Sequence, residues 1–269
     1  MSRVLKPTRD RHALYQRAVQ TPDVDAAFLD RVYKRLVGKP AVVFKEDFCG
    51  TAALSCAWVS MAPERRAIGV DLDRPTLAWG ETHNLSQLSD EQRSRLTLIQ
   101  DNVLHVRKPK ADLVCAFNFS YSVFKQRSQM QAYADNAVRS LKPGGVFILD
   151  AWGGYEVQQP HLERRRLKGG VDYLWDQVSF DPITHDIECR IHFEFRDGRP
   201  GVRNAFTYDW RLWTLPELRE VMQEAGFQDV HVLWEGTTPT RFGNGVFRRR
   251  ERGDADAAWV CYVVGRAPG

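Results

Sequence analysis

The chain has 269 residues, 43% of them hydrophobic and 27% charged, which are ordinary globular values and leave room for one large α/β domain with an inserted module. Its net charge of +4 and pI near 8.8 are too small an excess to argue for nucleic acid as a partner. It holds no apolar run of about 18 residues, so no membrane partner is expected, and the start Met1-Ser2-Arg3-Val4-Leu5-Lys6-Pro7 shows no apolar signal region.

From Asp10 to Val37 the pattern is helical, with Leu14, Ala18, Phe28, Val32 and Leu36 on one apolar face and a break at Thr21-Pro22. Residues 1–40 thus read as a helical cap. Strands then alternate with helices: strands near 41–46, 66–71, 95–100, 111–117 and 145–151, and helices near 51–60, 75–86 and 128–141. Continuous apolar runs such as Val146-Phe147-Ile148-Leu149 suit strands buried on both faces, and right-handed crossovers make them a doubly wound, mostly parallel sheet. After Asp150 the rhythm changes. Strands near 171–178, 188–196 and 203–210 alternate in the antiparallel manner, with Asp197-Gly198 as a turn, so residues 152–213 read as an inserted antiparallel β layer. Thr214, Pro216 and Glu217 then open a helix that stops at Gly226. Strands near 229–234 and 257–264, joined by a Gly- and Arg-rich loop at 236–253, close a seven-stranded sheet. The main domain therefore spans residues 41–151 and 214–269.

The chemistry concentrates at strand ends. Val42-Val43-Phe44-Lys45-Glu46 runs into Asp47-Phe48-Cys49-Gly50-Thr51-Ala52 and a helix of small residues; Ala67-Ile68-Gly69-Val70 then ends in Asp71. This is a β-turn-α-β unit suited to a nucleoside at the carboxyl ends of parallel strands. Phe48 and Ala52 stand where a dinucleotide loop would carry glycines, so a pyrophosphate fits poorly and a nucleoside without phosphates, such as S-adenosylmethionine, fits better. Gly50 allows close backbone approach, and Asp71 can take both ribose hydroxyls. Asp73 reads as a helix cap. Asp101 and Asn102 close the third strand, as an adenine contact or as a turn pair.

Together these segments resemble the class I S-adenosylmethionine-dependent methyltransferases, over about residues 40–265. Glu46-Asp47-Phe48-Cys49-Gly50-Thr51-Ala52 is similar to their first motif, in an E-D-F-C-G-T wording that resembles one subgroup. Asp71 is similar to the ribose-binding acidic residue, Gln100-Asp101-Asn102 to the third motif, and Leu141-Lys142-Pro143-Gly144-Gly145 to the turn before the fifth strand. The resemblance implies a Rossmann-like fold, S-adenosylmethionine as cofactor, and a cofactor site of Glu46, Phe48, Cys49, Gly50, Asp71, Leu72, Asp101, Asn102 and Asn118. It also implies that Asn118-Phe119-Ser120-Tyr121, after the fourth strand, faces the sulfonium methyl. Asn118 and Tyr121 are then the catalytic candidates, and Tyr121, Trp152 and Tyr155 the substrate candidates, since aromatic faces stabilise a cation.

Other features are weaker. His161, His185 and His192 could supply a base, though lone histidines are more often structural. Cys49, Cys56, Cys115, Cys189 and Cys261 show no zinc spacing, so no metal is expected, and reduced thiols suggest a cytoplasmic protein. Arg164-Arg165-Arg166 and Arg248-Arg249-Arg250 are solvated faces or a patch for an anionic partner. Three functions stay open: N- or O-methylation of a small molecule under the inserted layer, methylation of RNA or protein, and a non-catalytic cofactor-binding module. In the first, donor binding is expected to be independent of the insert, because Glu46, Gly50, Asp71 and Asp101 lie outside it.

Overall fold

The computed structural model describes residues 8–238 and 243–269. Residues 1–7, where the sequence shows no signal region, lie outside the described residues, as does part of the 236–253 loop. Two helices come first, α1 (Arg11–Val19) and α2 (Pro22–Val37), separated where Pro22 forbids continuation. Five parallel strands follow in α/β alternation: β1 (Val43–Asp47), α3 (Ala53–Ser60), β2 (Arg66–Asp71), α4 (Arg74–His83), the single turn α5 (Asp90–Arg93), β3 (Leu96–Gln100), β4 (Ala111–Ala116), α6 (Arg127–Ser140) and β5 (Leu141–Gly153). Next come four antiparallel strands, β6 (His161–Leu167), β7 (Val171–Phe180), β8 (Asp186–Phe195) and β9 (Val202–Arg211). Helix α7 (Leu215–Glu224) and strands β10 (Gln228–Thr237), β11 (Gly243–Arg250) and β12 (Trp259–Arg266) complete the chain.

The main sheet has the order β11-β10-β12-β5-β4-β1-β2-β3, with β5 to β3 parallel and β12, β10 and β11 antiparallel. It has eight strands, one more than the sequence predicts. The extra one is β11, whose Gly- and Arg-rich composition reads as loop but whose backbone pairs along β10. Strand order reverses between β1 and β4, so their carboxyl ends open a crevice.

Side-chain alternation explains the layering. In β4 and β5, Val114, Ala116, Phe147 and Leu149 face α6 and α7, while Leu113, Cys115, Val146 and Ile148 face α2, α3 and the buried Trp58. The insert is a separate four-stranded sheet, β6-β7-β8-β9, rather than three strands, because His161–Leu167 also pairs along β7.

The helical cap divides. Helix α2 buries Phe28, Leu29 and Tyr33 against the main sheet, whereas α1 buries Leu14 and Ala18 in a core with Val171, Tyr173, Ile191 and Phe193 of the insert. Helix α1 therefore belongs mechanically to the roof and reaches the main domain through a few polar contacts. Gln16 Nε2 donates to Thr51 Oγ1 at 2.8 Å, and Trp79 Nε1 donates to Asp10 Oδ2 at 2.8 Å.

Candidate functional site

The turn after β1 keeps a glycine-like path with few glycines. Phe48, Gly50 and Ala52 all have positive φ, at 58°, 51° and 57°. Two of these three positions hold a side chain in the left-handed region, a conformation tolerated where the surrounding structure holds it. The Phe48 ring lies 5.9 Å from Phe124 and 5.7 Å from Tyr133, and Ala52 is fully buried at the start of α3. Gly50 donates its N–H to Asp71 Oδ2 at 2.7 Å, and Asp73 donates its N–H to Asp71 Oδ1 at 2.9 Å. Each Asp71 oxygen thus keeps a lone pair for a ligand hydroxyl. Burial raises the Asp71 pKa, opposed by these N–H donors. Asp73 accepts from the N–H and hydroxyl of Thr76 and caps α4.

Glu46 is 6% exposed, and Oε2 accepts from the Ser55 N–H at 2.9 Å and the Ser55 hydroxyl at 2.6 Å. Burial pushes its pKa up to about 8, and the negative charges of Asp71 and Asp25 add to the rise. At the end of β5, Asp150 Oδ2 accepts the Asn118 N–H at 2.6 Å and Oδ1 accepts the Phe119 N–H at 3.0 Å. Asn118 and Phe119 both sit at positive φ, 57° and 56°, so the buried carboxylate holds a strained pair in place. Burial raises the Asp150 pKa to about 7.

Three adjoining cavities share Asn118. One of about 280 Å³ lies over the β1 and β2 ends and includes Glu46, Phe48, Cys49, Gly50 and Asp71. A second of about 480 Å³ lies under the insert and includes Trp152 and His161. A third of about 140 Å³, at the start of α2, joins Glu46, Asp25 and Asp150. The first two also share Tyr15, Tyr208 and Trp210.

The structure thus brings together Glu46, Phe48, Cys49, Gly50, Asp71, Asn118 and Trp152. The Cys49 side chain packs toward Gly69, so its share of the cleft is backbone. Leu72 is 64% exposed and, like Asp101 and Asn102, does not line these cavities. Asp101 instead accepts the Asn102 N–H at 2.6 Å, and Asn102 accepts the Leu104 N–H at 2.9 Å, the geometry of a turn pair.

Two sequence expectations need correction. Tyr121 is 1% exposed, and its hydroxyl donates to the Asp150 carbonyl at 2.8 Å, so it supports β5 from the core and does not face these cavities. Tyr155 is 62% exposed and outside the cavity, where its neighbours Glu156 and Val157 are found instead. Of the three histidines, His161 alone reaches the cavity. His192 is buried, accepting the Asn204 N–H, and His185 bonds the Leu212 carbonyl.

Sequence reasoning missed Tyr15, Gln20 and Phe206 in the cleft, while Tyr208 and Trp210 belong to the aromatic cluster after strand five that reads from sequence as core or pocket wall. Alternation along β9 places Phe206, Tyr208 and Trp210 on one strand face, a signal available in the sequence; nothing local points α1 into the cleft.

The whole chain resembles solved methyltransferases. It covers 97% of itself and 97% of CalS10, an amino pentose methyltransferase from Micromonospora echinaspora, at 15% identity and a TM-score of 0.69. It covers 100% of itself and 96% of the sugar N-methyltransferase KedS8 from Streptoalloteichus sp. ATCC 53650, at 17% identity and 0.67. It covers 96% of itself and 98% of an S-adenosylmethionine-dependent methyltransferase from Clostridium acetobutylicum ATCC 824, at 18% and 0.66. No curated protein matches the sequence. Residues 47–149, which run from the last residue of β1 into β5 and include both Asp71 and Asn118, match the methyltransferase domain family. The chain thus carries a methyltransferase domain at its centre, within a Rossmann-like α/β fold like that of the solved S-adenosylmethionine-dependent methyltransferases.

Proposed function

We propose that this chain methylates a nitrogen or oxygen of a small molecule held beneath the inserted sheet, by in-line transfer from S-adenosylmethionine. One observation carries the reading: the cavity over the β1 and β2 ends and the cavity under the roof share Tyr15, Asn118, Tyr208 and Trp210, so a donor in one faces an acceptor in the other. Asp71 would take the ribose hydroxyls, Gly50 allows close approach, and Glu46 is a desolvated carboxyl suited to the methionine ammonium. When bound, S-adenosylmethionine supplies an electrophilic methyl on a sulfonium. Asp150 fixes Asn118 at the junction, and Tyr208 and Trp210 offer π faces there. The chain's main contribution is to align the two reactants and exclude water. In this reading residues 41–151 and 214–269 bind the donor, and residues 152–213 with α1 form the acceptor side.

CalS10 and KedS8, by their names, methylate sugars, in keeping with a small acceptor. The RNA or protein reading needs unpaired basic patches. Arg164 is instead paired with Asp172 at 3.0 Å and Glu194 at 2.7 Å, and Arg249 with Asp229 at 2.7 Å. Calorimetry with S-adenosylhomocysteine tests the donor assignment: one site per chain is expected, with NAD and ATP competing poorly. Tight NAD binding with no response to S-adenosylhomocysteine would overturn it, and binding without turnover of any amine or alcohol panel would favour the non-catalytic module.

A further inference from the structure

The roofed cavity has a distinctive lining. Its walls are aromatic: Trp152 meets Trp175 edge-on at 5.9 Å, and Trp175 lies 6.0 Å from Tyr208 and 6.4 Å from Trp210. Among the described residues its charged lining is three carboxylates, Glu156, Glu163 and Glu235, and one guanidinium, Arg165, with His161 beside them. Pairing of β6 with β7 explains Glu163 and Arg165: alternate residues of the Glu163-to-Arg166 run point inward, while Arg164 points out to its ion pairs. Arg165 is already engaged, donating to the Ala18 carbonyl and lying 4.9 Å over the Tyr173 ring. Glu235 accepts the Gly245 N–H at 2.7 Å. Glu156 and Glu163 have no basic partner of this kind among the described contacts.

From this lining we propose that the acceptor is an organic amine recognised as a cation, and that anionic acceptors are rejected. The proposal rests on the methyl-transfer reading above. A positive nitrogen gains from ring faces and from carboxylates at the same time. The chemistry points the same way. The ammonium first loses one proton to solvent water. The freed lone pair forms the N–C bond as the C–S bond breaks with its electron pair going to sulfur, leaving a neutral thioether and a methylated ammonium. The positive charge thus moves from sulfur to nitrogen, into a cavity built to hold it, and such a cavity favours the transition state. A carboxylate or phenolate acceptor would face three negative groups on entry.

Three probes of one shape separate charge from size: choline, its neutral isostere 3,3-dimethylbutan-1-ol, and the anion 3,3-dimethylbutanoate. Binding is read by tryptophan fluorescence and calorimetry on the full chain, with and without S-adenosylhomocysteine. Choline is expected to bind severalfold more tightly than the alcohol, with the anion weakest, in line with a cation–π contact beside partly exposed carboxylates. The Glu156→Gln/Glu163→Gln variant, checked for an unchanged melting temperature, should lose most of that preference while the alcohol's affinity holds. Equal binding of choline and alcohol, preference for the anion, or no choline binding overturns the proposal. Choline preference without any S-adenosylhomocysteine binding would instead sustain the cation site and overturn the donor reading beneath it.

Discussion

At the residue scale the carboxylates around the cleft divide the labour by their hydrogen bonds. Asp71 anchors two backbone N–H groups and keeps lone pairs free, whereas Asp73 is spent on Thr76. Asp71→Ala should weaken S-adenosylhomocysteine binding by about tenfold or more, as expected for charge-assisted bonds worth about 1.5–3 kcal/mol each. Asp73→Ala should instead cost about 1 kcal/mol of stability with little change in affinity. Calorimetry beside melting curves distinguishes them, and equal affinity losses would contradict the assignment. Glu46 makes a pH-dependent prediction. The unfolded chain loses this proton near 4.5, but the folded chain holds it up to about 8. Between those values the folded state binds more protons, so stability falls as pH rises through the window and levels off above it. Glu46→Gln should flatten that slope in melting experiments between pH 5 and 8. An ammonium placed at Glu46 favours the ionised form, so donor binding near neutral pH should release a proton. Calorimetry in buffers of different ionisation enthalpy measures that release, and buffer-independent heats would count against the ammonium contact.

At the scale of elements, α1 couples the two halves of the site. Its Leu14 sits in the roof core, fully buried, while Tyr15 on the next position lines both cavities. The packing sets the expectation that donor binding is independent of the insert against a competing one, because Phe206, Tyr208 and Trp210 of β9 also line the cavity over the β1 and β2 ends. Leu14→Ala leaves a cavity that costs about 2–5 kcal/mol locally and loosens α1 on the roof. It should weaken S-adenosylhomocysteine binding several-fold although Leu14 touches neither cavity. Hydrogen exchange should show faster opening in α1 and β7–β9 with β1–β5 unchanged. Unaltered affinity would mean that α1 is held by Gln16 and Asp10 alone.

At the scale of the whole molecule, several exposed arginines are paired locally. Arg196 pairs with Asp172, Arg203 with Glu194 at 3.0 Å, and Arg250 with Asp254 at 3.4 Å. Removing Arg164, as Arg164→Gln, should leave acceptor turnover within about twofold, since exposed ion pairs contribute only about 0–1 kcal/mol. Turnover should vary little across a salt series. A macromolecular acceptor demands a steep fall in affinity with salt, because counterion release dominates such binding. Arg165→Gln is a different case: Arg165 lines the cavity under the insert and ties α1 to β6, so on the proposed reading its loss should perturb acceptor binding whatever the salt.

Much of this molecule was legible in local pattern. Apolar runs of period two or of unbroken length announce β1, β2, β4 and β5, and Pro22, Thr214 and Gly226 mark helix ends through constraints that act within a few residues. Glu46, Gly50, Asp71 and Asn118 could be expected to share one cleft, as they do, because a doubly wound sheet gathers its strand ends into one crevice and order along the chain implies proximity. Other features had no local sign. Tyr121 and Asn118 lie three residues apart, yet the left-handed pair held by Asp150 turns Asn118 into the junction and Tyr121 into the core. The Arg-rich β11 became a strand because β10 offered it a free edge. Helix α1 shows an ordinary apolar face. Only packing against a sheet more than 150 residues further along decided that this face meets the roof and that Tyr15 enters the cleft. Sequence determines what lies within reach of a backbone turn; contacts between distant segments are settled by which buried surfaces fit.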